Sequence, residues 1–286
     1  MDRSRIMPPL CFFLAAGLSL LGALLRSCCM LTQFDADVGY LKEGFLTALC
    51  NALYPIVAAV LTISGLLIPK ANSLPARLHT PYRAVAALLP GLSLAVFTAV
   101  SLIICFPTRS DNIMLAPTLL GLLASTYYFL SGRRGGRYPD WLCLLGYLPI
   151  LWAVGGIAET YFDRYTAMNS PIKVTLQMGL IGFMIIVLAE LRFRINRMAP
   201  RLCIVLWGIG SFACLNAGIP ILLATGAGQL DHILHMLYAI VLLCAGLYGL
   251  YLLFCYTLLP VSPSAAEEED EAPDTPSPAA SAPTAE

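Results

Sequence analysis

Between Pro8 and Pro260 the chain runs through eight long apolar stretches separated by short polar loops. The hydrocarbon core of a bilayer is about 30 Å thick, and an α-helix crosses it in about 20 residues. The stretches, at 9–31, 45–68, 84–106, 113–131, 141–158, 172–190, 202–224 and 232–257, have that length. Inside a bilayer every backbone N–H and C=O needs a partner within the protein, so only helices and closed β-barrels can span it. None of the stretches alternates apolar and polar residues with period two, as a barrel strand does. The expected fold is an all-α polytopic membrane bundle of about eight transmembrane helices, filling residues 1–260.

Composition agrees. Of the 286 residues 58% are hydrophobic and 12% charged, against roughly 25% charged in a soluble domain. The mean hydropathy is +0.77. A net charge of zero conceals a split. Seven of the 17 acidic residues lie in the last 20 positions, leaving 17 basic and 10 acidic groups in the preceding 266. That basic excess sits in loops and reads as membrane orientation rather than as a nucleic-acid surface.

Positively charged loops tend to stay in the cytoplasm. One side of the expected topology carries Arg3, Arg5, Lys70, Arg77, Arg83, Arg133, Arg134, Arg137, Arg192, Arg194, Arg197 and Arg201. The other carries only Lys42, Arg109, Arg164 and Lys173. The split predicts a multi-pass protein of the cell membrane with both termini cytoplasmic. Tyr138 and Trp141 at one end of the fifth span, and Tyr161, Phe162 and Tyr165 at the other, fit interfacial belts. The basic start and the apolar run from Leu10 to Leu25 resemble a signal peptide, but Arg26 stands where a cleavage site wants a small apolar residue. An uncleaved first helix is the expectation.

Residues 261–286 are a different material: Pro, Ala, Ser and Thr around the acidic run Glu267–Glu271. Such a segment cannot bury a core and predicts a disordered cytoplasmic tail. Its charge is the only pointer to a basic partner. The ten cysteines include no CxxC pair and no zinc spacing, and most fall within apolar segments as small hydrophobes. Four spans on either side of the middle invite a parallel 4+4 internal repeat. Thr32-Gln33-Phe34-Asp35 and Thr160-Tyr161-Phe162-Asp163 share Thr-x-Phe-Asp after the first and fifth spans.

Ionisable residues inside spans are expensive, and by default they mark function. Here they gather toward the side predicted to face outward. Arg26 lies in the outer third of span one, and Glu159 and Asp163 close span five. Asp231, His232 and His235 open span eight, while Asn51 and Asn216 fall in the outer halves of spans two and seven. The candidate ligand-binding set is therefore Arg26, Asn51, Glu159, Asp163, Asn216, His232 and His235. A structural alternative has Arg26 snorkelling, or pairing with Glu159 or Asp163 to staple helices together. The two histidines are spaced i, i+3 and with a carboxylate could meet a divalent metal, but no third zinc ligand is identifiable. On the other side Glu190 reads as a helix-end charge beside Arg192 and Arg194.

Pro55, Pro90, Pro117, Pro149 and Pro220 fall inside five spans, where each removes a helical hydrogen bond. Asn216 precedes Pro220 by four residues, so its carbonyl is the one released, beside a side chain that could meet an ion or a substrate amine. Gly155-Gly156 and Gly208-x-Gly210 predict close helix packing.

The sequence contains no GxGxxG, Walker, HExxH or GxSxG motif, so nothing in it calls for a cofactor or for a recognised catalytic chemistry. A transport or solute-binding membrane component, alone or with a partner subunit, fits the spans, the prolines and the polar cluster together. The alternatives are an intramembrane enzyme using Glu159, Asp163, His232 and His235, and a sensor or scaffold without a pocket.

Overall fold

A bilayer satisfies no backbone hydrogen bond, and this chain makes its own in long helices. The computed structural model describes residues 3–35, 39–42, 44–68, 82–108, 112–133, 139–163, 170–195, 199–230 and 232–258. The tail at 261–286 and Asp231, Arg164 and Asn169 lie outside the described residues. The helices are α1 (Arg3–Gln33), α2 (Phe45–Leu66), α3 (Tyr82–Thr108), α4 (Asn112–Arg133), α5 (Asp140–Leu145), α6 (Tyr147–Phe162), α7 (Pro171–Arg194), α8 (Pro200–Gly226) and α9 (Ile233–Thr257). A two-residue hairpin, β1 (Phe34–Asp35) with β2 (Tyr40–Leu41), caps the turn from α1 to α2.

Seven to eight of these segments are long and apolar enough to cross a membrane. Seven meet both conditions over their described residues, with α5 and α6 counted together as Asp140–Phe162. The remaining long helix, α4, has 22 residues and no charged residue before Arg133. Large apolar side chains such as Phe13, Leu20, Leu66, Val85, Ile103 and Leu144 point outward and are exposed. In water such surfaces would drive association; against lipid they are the expected exterior of a multi-pass membrane protein.

Local sequence explains the helix ends. Pro171 and Pro200 stand in the first turns of α7 and α8, where a missing N–H leaves no bond unmade. Arg192 and Arg194 occupy the last turn of α7, where cations favour the helix dipole. Pro149 departs from expectation. It sits in the first turn of α6 rather than mid-helix, and its absent N–H releases the carbonyl of Leu145 just where α5 stops. Pro55, Pro117 and Pro220 do lie within their helices.

α8 is the axle of the bundle. It packs against α1, α2, α7 and α9, and 78% of its apolar stretch is buried, against 22% for peripheral α2. α3 and α4 pair with each other and dock on α9 and α6. α7 and α8 cross at Gly182 and Gly210. A Cβ on either would fall within 2.8 Å of the other's carbonyl oxygen, so only glycine permits this approach.

The packing does not establish a 4+4 duplication. α6, α7, α8 and α9 each pack on the next, whereas α1 and α2 dock on α8 and the pair α3–α4 on α9 and α6. The two Thr-x-Phe-Asp quartets also differ: Phe34 and Asp35 form a strand, whereas Phe162 is helical and Asp163 caps its helix.

Candidate functional site

The polar residues expected to gather do gather at one end of the bundle, the end that bears the β-hairpin. Gln229 Nε2 donates to Leu31 O at 3.1 Å and Ser170 Oγ to Gly39 O at 3.4 Å, tying the segment after α8 to the end of α1 and the residue before α7 to the hairpin turn. Two separate groups of side chains lie in the helices just below.

The first group centres on Arg26, two turns before the end of α1 and only 3% exposed. Its Nη1 donates to Asn51 Oδ1 of α2 at 2.9 Å, and its Nη2 to Thr175 Oγ1 of α7 at 2.5 Å. Neither partner is charged, and among the described residues no carboxylate pairs with Arg26. This corrects the expectation that Arg26 would snorkel or staple to Glu159 or Asp163. The guanidinium is held inward by neutral acceptors, with Nε left without a partner.

Asn216 of α8 joins this junction. Gly22, one turn before Arg26 on the same face of α1, lies against Phe212 and Asn216. A Cβ there would fall 2.7 Å from the Phe212 ring and 3.3 Å from Asn216 Nδ2. The Tyr54 ring of α2 meets Phe212 edge-on with centroids 5.3 Å apart, and Tyr54 lies within electrostatic reach of Arg26. Arg26 thus gathers Asn51, Tyr54 and Thr175 from α2 and α7, and Asn216 of α8 lies one turn of α1 away, against Gly22. Asn216 is 1% exposed, and both its Oδ1 and the Tyr54 hydroxyl lack a partner. Asn51 is exposed, so the junction opens at the surface of the bundle.

The second group lies across α7, between α6 and α9. Glu159 is 8% exposed, and its Oε2 accepts from the Tyr238 hydroxyl at 2.5 Å. Gly156, one turn before Glu159, makes room for that phenol: a Cβ there would fall 2.9 Å from the Tyr238 ring. Helix α6 ends at Phe162, so Asp163 is its cap rather than a further helical position. Buried Lys173 of α7 donates to the Asp163 carbonyl at 2.6 Å and lies 3.7 Å from its carboxylate. His232 and His235 stack with centroids 4.6 Å apart, and His235 is within electrostatic reach of Asp163 and Lys173. Among the described residues no three His, Cys, Asp or Glu side chains come together as metal ligands. Of the two carboxylates named for an acid–base scheme, Glu159 accepts from a tyrosine and Asp163 lies against Lys173 and within reach of His235.

A third group sits at the opposite end and corrects the view of Glu190 as a helix-end charge. Glu190 is wholly buried. Its Oε1 accepts from Arg83 Nη2 of α3 at 3.0 Å and from the Tyr248 hydroxyl of α9 at 2.9 Å. Aromatic rings connect this group to Glu159. Tyr238 packs on Phe97 and Trp152, Trp152 on Phe183, Phe183 on Tyr128 and Tyr128 on Tyr248, with centroids 4.8 to 6.4 Å apart.

Of the seven sequence candidates, Arg26, Asn51 and Asn216 form one group, and Glu159, Asp163, His232 and His235 belong to the other. Sequence reasoning missed Tyr54, Thr175, Tyr238, Tyr248 and the depth of Lys173 and Arg83. Only Tyr238 had a signal, its i+3 spacing from His235. Comparison of the chain with protein-family models, curated proteins and solved structures finds no match.

Proposed function

We propose that this multi-pass membrane protein is a transport or solute-binding component of the cell membrane, and that it takes an anionic ligand at the Arg26 junction. The observation that carries the reading is the charge imbalance there: a buried guanidinium held by neutral oxygens, with Nε free. An arginine in the hydrocarbon region costs about 2.5–3.5 kcal/mol or more, and such charges normally face a partner or a pathway. A carboxylate or phosphate oxygen at Nε would supply the missing counter-charge. The positive-inside bias supports an outward-facing hairpin end with both termini cytoplasmic.

The test is thermal unfolding of the full chain in detergent against sodium salts of small carboxylic acids, phosphate and sulfate, with neutral sugars as controls. A ligand that binds only the folded state at 100 times its Kd stabilises it by about 2.7 kcal/mol. At least one anion is expected to raise the unfolding midpoint, and Arg26→Gln to abolish the rise. Anions without effect, or an effect that survives in Arg26→Gln, would overturn the reading.

A further inference from the structure

We infer that the ligand of the Arg26 junction carries a protonated amine beside its anionic group; this rests on the anion-binding reading above. The junction holds unmet acceptors as well as unmet donors. Asn216 Oδ1 is buried without a donor, on a side chain only 1% exposed. The backbone adds a second acceptor beside it, because Pro220 has no N–H to offer the Asn216 carbonyl. The Tyr54 hydroxyl, also unpartnered, can either donate or accept.

A bare carboxylate or phosphate only accepts. It would satisfy Arg26 Nε and leave Asn216 Oδ1 stranded, and a buried acceptor without a donor is destabilising. A lone metal cation would suit the two Asn216 oxygens, but the guanidinium in the same junction repels it. An anion joined to an ammonium a few atoms away meets both needs: the anion lies against Arg26 and Tyr54, the ammonium against the Asn216 side-chain and main-chain oxygens. Two sources share this chemistry, a free amino acid and an aminophospholipid headgroup. Exposed Asn51 at the edge of the junction gives access to either.

The experiment titrates the full chain in detergent with paired probes and reads the unfolding midpoint. One series sets the twenty common amino acids against the same carboxylic acids without the amine. The other sets phosphatidylethanolamine against phosphatidylglycerol in mixed micelles. The amine-bearing member of a pair is expected to act at about ten-fold lower concentration, the effect of one charge-assisted hydrogen bond. Asn216→Leu should bring the potencies of the two members of a pair within about two-fold of each other. Asn216→Ala serves the same end if the leucine variant does not fold. The series that shows the preference names the source. Equal potency within every pair, with both members still lost in Arg26→Gln, would overturn the amine and leave the anion site standing. No response in either series would remove both.

Discussion

Tyr238 and Tyr248 of α9 stand at the two ends of a column of aromatic rings, and each phenol donates to a buried glutamate: Tyr238 to Glu159 and Tyr248 to Glu190. Ten residues of helix separate them by about 15 Å, half the thickness of the hydrocarbon core. α9 therefore carries one carboxylate anchor toward each end of the bundle, with Phe97, Trp152, Phe183 and Tyr128 packed between. The two anchors differ in electrostatics. Glu190 has Arg83 as counter-ion, whereas among the described residues Glu159 has only the neutral phenol as its hydrogen-bond donor.

Tyr238→Phe removes the one side-chain donor that the structure gives to Glu159. Leaving a buried carboxylate oxygen unmet costs about 1–3 kcal/mol. The unfolding midpoint in detergent should fall accordingly, and Glu159→Gln in the same background should produce a much smaller further loss than it does alone. A Tyr238→Phe protein as stable as its parent would mean that the bond contributes nothing.

Gly156→Ala places a methyl group where the Tyr238 ring lies. Overpacking of this kind costs about 1–3 kcal/mol. Its effect should shrink sharply when Tyr238 is replaced by alanine, since neighbours that share one space are not additive. Full additivity in a double-mutant cycle would show that the two do not touch.

Arg83 and Glu190 form an ion pair with side chains 3% and 0% exposed. Removing one member of a buried pair costs about 3–5 kcal/mol, because the other charge stays buried without this counter-ion. Arg83→Met and Glu190→Leu should each lower the midpoint strongly, and the double variant should recover most of the loss. Two losses that simply add would contradict a direct pair.

The hairpin end should face outward. In intact cells a membrane-impermeant maleimide should label Lys42→Cys above the background of the parent, and label Ser264→Cys only after permeabilisation. The reverse pattern would invert the topology while leaving the helix contacts untouched.

Much of this arrangement was legible in the chain because depth is a one-dimensional quantity. The run length around Arg26, Asn51, Glu159, Asn216 and His235 gives the position of each along the bilayer normal, and the structure gathers all five toward one end. Partner identity was not legible. Arg26 meets Thr175 across 149 residues and Arg83 meets Glu190 across 107, with no local spacing to announce either pair. Glu190 was misjudged for the same reason. A charge next to two loop arginines reads as a surface group until α3 and α9 are folded over it.

The apolar runs by themselves determined a multi-pass helical protein, the approximate limits of its spans, and the end toward which Arg26, Asn51, Glu159, Asn216 and His235 lie. The bilayer's thickness and its lack of hydrogen-bonding partners leave a long apolar segment few alternatives. Tertiary structure decided how each helix is turned about its axis. A membrane helix is apolar toward lipid and toward its neighbours alike, so periodicity does not mark the inward face, and close packing at positions such as Gly156, Gly182 and Gly210 sets it instead. That rotation is what places Arg26 among the neutral oxygens of Asn51 and Thr175, and Glu159 beneath the phenol of Tyr238.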